Sequence, residues 1–423
     1  MLGDRFGSKT LRGLVAGVSI FWLFPYVMLQ QVGAGTALEA LTEGAVPYWA
    51  GAGFITLFMI AYVVLAGMRG VAWTDTLQGV FMLSMVWLAF AWIASALAAE
   101  PGGIGAAMPE EFRALGGGVY SPQWMIAQAV TIAFGVTMFP QINQRFFVAR
   151  SKTVLKRTLA LWPVLVVLLF VPAFMLGAWA AGLGVTVPEG GNVIPAVLNE
   201  YTAGWFTATV VAGAMAAMMS SSDSMLLSGA SYLTRDLYRP LTELADEEPT
   251  ERDSSTLVDR FWHALLAVAV AAGRLLRSER DREALLARAG VVVFATASFV
   301  ASLYAPGTLV QIGDTAFGGF AQLSLPVLVA LYWRGTTRTG MFAGVLGSQT
   351  FYLASVFLAE VPRGYVVPVP GLESLGSWSS SVLGMALGLA LTVGVSLVTS
   401  PAPTEDANLY EPSESGTGAE DDD

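Results

Sequence analysis

The sequence predicts an all-α integral membrane protein with about ten transmembrane helices, and two features support this prediction. Of the 423 residues, 55% are hydrophobic and only 13% are charged, whereas about 25% are charged in a typical soluble domain. The apolar residues also occur in blocks of about 20 or more, long enough for a helix to cross a hydrocarbon layer about 30 Å thick. These blocks predict spans at 11–33, 48–68, 72–98, 122–147, 158–182, 204–236, 288–306, 309–333, 339–359 and 378–399.

The basic residues predict which side of the membrane each helix end faces. If the chain begins in the cytoplasm, all but two of the 22 Lys and Arg residues lie on the inner side, and the exceptions are Arg113 and Arg363. Cytoplasmic loops of membrane proteins carry an excess of these residues. We therefore expect a multi-pass protein of the plasma membrane with both termini in the cytoplasm. This orientation explains the basic loops, so they give no reason to expect binding to nucleic acid.

Two acidic segments divide the chain. Residues 1–400 are expected to form one polytopic membrane domain with a cytoplasmic insert at 239–287, followed by an acidic tail at 401–423. Segments with so little apolar surface do not fold alone, so the tail is expected to be disordered. Within the insert, the apolar run 261–273 is too short to span and precedes an Arg-rich stretch, which indicates an interfacial helix. An acidic, Lys-poor composition is also typical of a halophile.

The residue types present exclude several classes of enzyme. The chain has no Cys and a single His, His263, so thiol catalysis, disulfides and metal sites built from Cys or His clusters are excluded. The sequence also lacks a phosphate-binding loop. We therefore expect a protein that is not an enzyme and that uses no cofactor.

The sixth predicted span carries a carboxylate among hydroxyl groups. Asp223 is the only charged residue between Glu200 and Arg235, and an ionisable group at such a depth costs at least about 2.5 kcal/mol. Helical spacing places it on one face with Ser220 and Ser224. Hard oxygen atoms of this kind suit a small cation, a rule documented for Ca²⁺ and Mg²⁺ that we extend to Na⁺. The alternative is a serine-rich interface between packed helices.

Three other spans contain a carboxylate or helix-breaking residues. Asp75 lies just inside the cytoplasmic end of the third span. It could have a functional role there, or its negative charge could simply stabilise the N-terminus of the helix. The fourth span contains Gly135 and Pro140, and the eighth contains Asp314, two adjacent glycines and Pro326. Interrupted spans mark ligand sites near the membrane centre in transporters. The alternatives are kinked helices that pack through glycine and, for Asp314, a position at the outer interface.

Four motifs together resemble the sodium:solute symporter family, which includes the proline, pantothenate, sialic acid and sugar symporters. They are GMRGVAWTDTLQG at 67–79, PQINQRFFVARS at 140–151, AAMMSSSDSMLLSGASYLTRDLY at 216–238 and WRGTTRTGMFAGVLG at 333–347. The resemblance covers nearly the whole chain and implies a leucine-transporter-type fold, in which five helices are repeated in inverted orientation. Matched in this way, the chain lacks the first two core helices of that fold.

The resemblance implies a main sodium site and a substrate site. Ala217, Ser220 and Ser221 match positions that ligate the main sodium ion in family members. Substrate contacts would come from the fourth and eighth spans and from the first. The candidates for these contacts are Phe134, Thr137, Gln322 and Gln31.

A second cation site is also implied by the resemblance. Asp75 matches the family's carboxylate near the inner mouth. With Ser220 and Ser224 it would form the second cation site described for some members, in which Asp223 occupies a position that varies.

The expected function is sodium-coupled secondary active symport, in which a small organic solute is imported by alternating access. The expected partners are Na⁺, the solute and the lipid bilayer. Two alternatives remain open. Asp75 and Asp223 could carry protons instead, as intramembrane carboxylates do in pumps, or the chain could be an inactive or non-transporting membrane fragment. The solute cannot be inferred from the sequence, because specificity depends on a few side chains in the pocket.

Overall fold

Helices make up almost all of the chain that a computed structural model describes, namely residues 2–109, 122–147, 149–187, 192–239, 279–304, 308–358, 367–368 and 377–399. The helices of the first half are α1 (Leu2–Arg5), α2 (Lys9–Leu41), α3 (Tyr48–Ala98), α4 (Gly103–Ala106), α5 (Pro122–Thr137), α6 (Pro140–Phe147) and α7 (Lys152–Gly182). Those of the second half are α8 (Val193–Tyr201), α9 (Gly204–Ser231), α10 (Glu279–Ser302), α11 (Leu309–Tyr332), α12 (Arg338–Leu353) and α13 (Ser380–Val398).

The remaining regular elements are short. Turns of π-helix follow α9 at Tyr232–Tyr238 and α12 at Ala354–Leu358. Two strands of two residues, β1 (Val367–Pro368) and β2 (Ser377–Trp378), pair in antiparallel orientation. The predicted interfacial helix at 261–273 and the acidic tail at 401–423 lie outside the described residues.

The predicted all-α membrane architecture is confirmed. Nine helical segments of the described residues, two of them within α3, are long and apolar enough to span a membrane, and the bent pair of α5 and α6 makes a tenth if it is counted as one span. Lipid offers the backbone no hydrogen-bond partner, so each apolar block forms a helix. Several helices extend beyond their apolar blocks, and α10 begins at Glu279, inside the region predicted to be an insert.

The second and third predicted spans lie on one continuous helix. α3 contains 51 residues without a break. The hydroxyl groups of Tyr62 and Thr74, 12 residues apart, share a hydrogen bond, although about 18 Å of straight helix would separate these two positions. α3 therefore bends between these two positions. The prediction of two spans holds, and a helical corner joins them.

The helices form two contacting groups. α2, α3, α9 and α10 pack against one another, and α11 packs against α2, α5, α12 and α13. The central cluster of buried side chains joins the two groups and contains Trp22, Phe320 and Tyr352. In the most apolar stretch of α7 only 11% of residues are buried, whereas 61% are buried in that of α11. α11 is thus a central helix and α7 a peripheral one.

The eighth predicted span is not interrupted, so that prediction is wrong. α11 is one continuous helix through Gly318, Gly319 and Pro326. A Cβ atom at Gly318 would overlap the Tyr352 hydroxyl, and one at Gly319 would overlap the Trp22 ring. The glycines therefore permit close helix packing, which was the alternative interpretation of this pattern.

The fourth predicted span is broken as expected. α5 and α6 meet at an angle of 47° across Met138 and Phe139. The Phe139 side chain is buried and packs between the rings of Tyr26 and Phe317, whose centroids lie 4.9 and 5.0 Å from its own. These aromatic contacts fix the connection between α5 and α6 in the interior of the helix bundle.

Candidate cation site and transport pathway

A carboxylate and a serine hydroxyl from different spans meet inside the helix bundle. Ser220 on α9 donates a hydrogen bond of 2.6 Å from its hydroxyl to Oδ1 of Asp75 on α3. The Asp75 side chain is only 14% exposed. Ser224 lies one helical turn further along the same face of α9. Three of the six residues predicted to bind cations therefore face one another, although 145 positions separate Asp75 from Ser220.

A basic side chain completes this cluster. Nη2 of Arg145, in the last turn of α6, lies 2.6 Å from Asp75 Oδ2 and 2.6 Å from the Ser224 hydroxyl. The same nitrogen atom thus bridges the carboxylate and the hydroxyl. The sequence analysis counted Arg145 only among the basic residues on the inner side of the membrane. Its place in the PQINQR motif, directly after the break, was the available signal for a role at the site.

The residue next to Arg145 also binds α9. Gln144 accepts a hydrogen bond of 2.7 Å from the Ser228 hydroxyl and donates one of 3.4 Å to the Ser231 hydroxyl. Together with the contact to Ser224, these bonds attach α6 to the serine face of α9 along successive turns.

Asp223 does not join the hydrogen-bonded cluster. Its side chain is fully buried, and neither carboxylate oxygen has a hydrogen-bond partner among the residues that the structure describes. Asp75 interacts with it electrostatically. The predicted oxygen set is thus divided. Ser220 and Ser224 contact the Asp75–Arg145 pair, whereas Asp223 lies beside it with both oxygen atoms unpaired.

Ala217 and Ser221 lie on an adjacent part of the α9 surface. Both residues are half-buried. Ser221 is rotated by about 100° from Ser220 around the helix axis. Its hydroxyl therefore does not lie on the face of α9 that contacts Asp75. α9 therefore presents two oxygen-bearing surfaces, and Ser220 is the residue that the two predicted sodium sites share.

The first two substrate candidates lie at the break between α5 and α6. Thr137 is exposed and donates a hydrogen bond of 2.6 Å to the Phe134 carbonyl. The Thr137 carbonyl accepts a hydrogen bond of 3.1 Å from the Asn143 side chain of α6. This contact satisfies a carbonyl that the end of α5 leaves without a helical partner.

The two glutamine candidates lie elsewhere, at contacts between helices. Gln322 on α11 is buried and donates hydrogen bonds to the carbonyls of Gly318 at 2.8 Å and Ser381 at 3.1 Å. Gln31 on α2 is also buried, and its amide binds α3 and α10. The structure therefore does not bring the four substrate candidates together. Each glutamine retains one buried carbonyl oxygen that has no hydrogen-bond partner in the described part of the chain.

Asp314 pairs with a neutral side chain. Its Oδ2 accepts a hydrogen bond of 3.0 Å from Gln128 on α5. Asp314 is half-buried between α5 and α11, so helix packing, and not open exposure at a membrane surface, defines its surroundings.

A cavity of about 440 Å³ lies next to the break. Met138 of the break and Asn143 of α6 contribute to its wall, as does the ion pair between Arg12 and Asp236, whose Nε and Oδ1 atoms are 2.6 Å apart. Small-molecule sites in proteins typically measure about 300–1,000 Å³. The cavity therefore has the size required for a small solute.

The sequence has recognisable relatives of known type. Residues 1–275 match the model of the sodium:solute symporter family. The chain is 24% identical over 414 residues to the high-affinity proline transporter PutP of Bacillus subtilis (strain 168), which corresponds to 92% of this chain and 77% of the transporter. It is 23% identical over 416 residues to the sodium/pantothenate symporter of Escherichia coli (strain K12), or 94% of this chain and 76% of the symporter.

The fold is also similar to that of a solved structure. That structure is described as the substrate-bound outward-open state of a Na⁺-coupled sialic acid symporter. The TM-score is 0.64 at 18% sequence identity, over 95% of this chain and 77% of the other. Similarity at this level of identity concerns the fold alone, and it confirms the leucine-transporter-type fold that the motifs implied.

Proposed function

Because the chain belongs to the sodium:solute symporter family, we propose that it is a sodium-coupled secondary active symporter that imports a small organic solute across the plasma membrane. The observation that carries this proposal is the contact between Asp75 and Ser220 inside the bundle. A shielded carboxylate with converging hydroxyl groups is a ligand set for a small hard cation. Charged groups at membrane depth in transporters typically serve such ion pathways.

The shared residue Ser220 gives the two predicted sodium sites a physical connection. Na⁺ would bind Ala217, Ser220 and Ser221 at the main site, or Asp75, Ser220 and Ser224 at the second. Ion binding favours one conformation only by the difference in its affinity for the two states. Inward movement of Na⁺ is driven further by the membrane potential, which contributes about 2.3 kcal/mol per charge for each 100 mV.

The cavity beside the break supports a route for the solute. It adjoins α6, which also carries Arg145 of the cation cluster. In transporters with interrupted spans, ligands bind at the interruption, because the ends of the half-helices expose unpaired backbone groups. Thr137 and Phe134 are therefore the substrate candidates that the geometry favours.

Proton coupling is the second candidate function, and Asp223 is the observation that favours it. A buried carboxylate without a hydrogen-bond partner is costly to keep charged. Binding a proton removes that charge, and binding Na⁺ compensates it. The two functions therefore differ in the ion gradient that drives uptake.

Uptake by the full-length protein in proteoliposomes tests the proposal, with labelled L-proline and pantothenate as solutes. We expect uptake to require an inward Na⁺ gradient and to fail when choline replaces Na⁺. Thermal stability of the purified protein should also rise with Na⁺ and not with choline, because a ligand of the folded state stabilises it. This second measurement requires no knowledge of the solute.

Ser220→Ala should weaken the apparent Na⁺ affinity roughly tenfold or more in both measurements, because a contact to a charged group contributes about 1.5–3 kcal/mol. Ser84→Ala is the matched control, since that hydroxyl is exposed and binds a carbonyl of its own helix. Uptake that ignores Na⁺ and is unchanged by Ser220→Ala would contradict the proposal. Uptake driven by a pH gradient alone would support proton coupling.

A further inference from the structure

We propose that Arg145 is the resident cation of the Asp75 site: without Na⁺ its guanidinium neutralises Asp75, and Na⁺ binds by displacing it. This inference rests on the function proposed above, because it assumes that Asp75, Ser220 and Ser224 receive Na⁺. It adds a residue that sets the affinity for Na⁺ and that connects ion binding to α6.

Arg145 occupies the space that a bound ion would need. One nitrogen atom, Nη2, lies 2.6 Å from both Asp75 Oδ2 and the Ser224 hydroxyl. Oxygen ligands bind Ca²⁺, a cation of similar size to Na⁺, at about 2.3–2.6 Å. A cation held by these two oxygen atoms would overlap the guanidinium, so the two positive charges exclude each other from this position.

The two partners of the ion pair differ in how firmly they are held. Asp75 is 14% exposed and also accepts the hydrogen bond of Ser220, whereas the Arg145 side chain is 57% exposed. An ion pair with one exposed partner contributes little stability, because water replaces the lost contact. Displacement of Arg145 into solvent is therefore inexpensive, while the carboxylate remains in place for the incoming ion.

Displacement changes how α6 is attached. α6 binds the serine face of α9 through Arg145 and Gln144, and Arg145 also contacts Asp75 of α3. Na⁺ binding would remove the Arg145 contacts and leave those of Gln144. Because Asn143 and Phe147 of α6 also line the cavity, occupancy of the ion site would alter the wall of the proposed solute route.

The direction in which Arg145→Gln changes the Na⁺ affinity distinguishes competition with Na⁺ from a purely structural role of Arg145. If Arg145 competes with Na⁺, Arg145→Gln removes the competitor, and Na⁺ should bind roughly two- to fivefold more tightly, the range expected for an exposed ion pair. If Arg145 only positions Asp75, the same change should weaken Na⁺ binding. The measurement is the Na⁺ concentration that gives half-maximal thermal stabilisation of the purified full-length protein, with choline keeping the ionic strength constant.

Two further variants keep the result interpretable. Arg150→Gln makes the same change of charge at an exposed residue of the segment that follows α6, and we expect it to leave the Na⁺ affinity unchanged. Arg145→Lys keeps the positive charge, so its Na⁺ affinity should lie closer to that of the parent protein than the affinity of Arg145→Gln does. If Arg150→Gln raised the Na⁺ affinity as much as Arg145→Gln does, the gain would be an effect of surface charge, and the inference would be overturned.

The movement of α6 can be measured independently of affinity. The chain contains no Cys, so a single cysteine introduced by Phe147→Cys, at an exposed end of α6, reports its accessibility to a maleimide. We expect Na⁺ to change the labelling rate at least twofold in the protein that retains Arg145. With Arg145→Gln the rate should already match the Na⁺-bound value and should not respond to Na⁺.

The outcomes distinguish this inference from the proposed function. A parent protein that responds to neither Na⁺ measurement would contradict the sodium-coupled function itself. A parent protein that binds Na⁺, combined with an Arg145→Gln variant that binds it more weakly or equally well, overturns the displacement of Arg145 alone. A full Na⁺ response of the Phe147→Cys label in the Arg145→Gln background has the same consequence.

Discussion

The indole ring of Trp22 is fixed on two sides. Its Nε1 donates a hydrogen bond of 2.8 Å to Oε1 of Gln349, and the amide of Gln349 donates one of 3.0 Å to the Gly319 carbonyl. Trp22 is 1% exposed, and the backbone of Gly319 lies directly against its ring. Because the hydrogen bonds and the packing prevent the ring from rotating away, the position opposite it accepts no side chain.

Gly319→Ala should therefore destabilise the protein by about 1–3 kcal/mol, the usual cost of inserting a methyl group into a packed core. The midpoint of thermal unfolding in detergent measures the change. Gly313→Ala is the control on the same helix, because its added Cβ would lie 3.6 Å from the nearest atom of Leu29, an ordinary contact. Alanine is also the better helix former by about 1 kcal/mol, so this control should be neutral or stabilising. An equal loss in both variants would contradict the explanation.

Residue-scale contacts divide into those that the sequence could indicate and those that it could not. The motifs placed Asp75 near Ser220, and the structure brings the two together. Nothing in local spacing indicates the bond from Trp22 to Gln349, 327 positions away, or the pairing of Arg145 with Asp75. Such contacts depend on how distant helices cross, and helical periodicity carries no information about that.

At the scale of elements, two prolines show why one predicted break exists and another does not. A proline in a helix leaves the carbonyl four residues earlier without a donor. At Pro140 that carbonyl belongs to Val136 and accepts the Phe139 amide in a tight turn, so α5 ends. At Pro326 it belongs to Gln322 and accepts the hydroxyl of Ser348 on α12, at 3.1 Å. A neighbouring helix thus supplies the donor that Pro326 lacks within the continuous helix α11, and no property of the span itself reveals that donor.

The break itself should depend on its buried aromatic anchor. Phe139→Ala would remove a side chain that is 3% exposed, and buried Phe→Ala changes cost about 3–5 kcal/mol. We expect a correspondingly lower midpoint of thermal unfolding. Phe147→Ala, at the exposed far end of α6, is the control and should change the midpoint little. Equal effects of the two substitutions would show that Phe139 does not hold the connection.

At the scale of the molecule, the more hydrophobic of two compared helices is the less buried one. The stretch of α7 has the higher mean hydropathy, 2.6 against 1.4 for α11, and yet it is far less buried. Lipid is as apolar as a packed core, so the most hydrophobic helices can face it, while central helices carry small and polar residues for packing. Composition therefore predicted the spans well, but it did not predict which helices contact one another.

The orientation of the whole molecule remains a prediction from its basic residues, and the absence of cysteine makes it directly testable. Glu100→Cys, just after α3, and Lys152→Cys, at the start of α7, are both at exposed positions. In intact cells a membrane-impermeant maleimide should label the cysteine at 100, whereas the one at 152 should react only after permeabilisation. The reverse pattern would place both termini outside and reject the assignment based on positive charge.

The corner in α3 ties the geometry of the ion site to the angle between two spans. Thr74, bound to Tyr62 across the corner, directly precedes Asp75. A change in that angle would carry the carboxylate with it and alter its separation from Ser220, which lies on a different helix. The affinity for the ion would then depend on the angle between the two spans of α3. The corner itself would couple this angle to ion binding, and no flexible joint would be needed at this point of the chain.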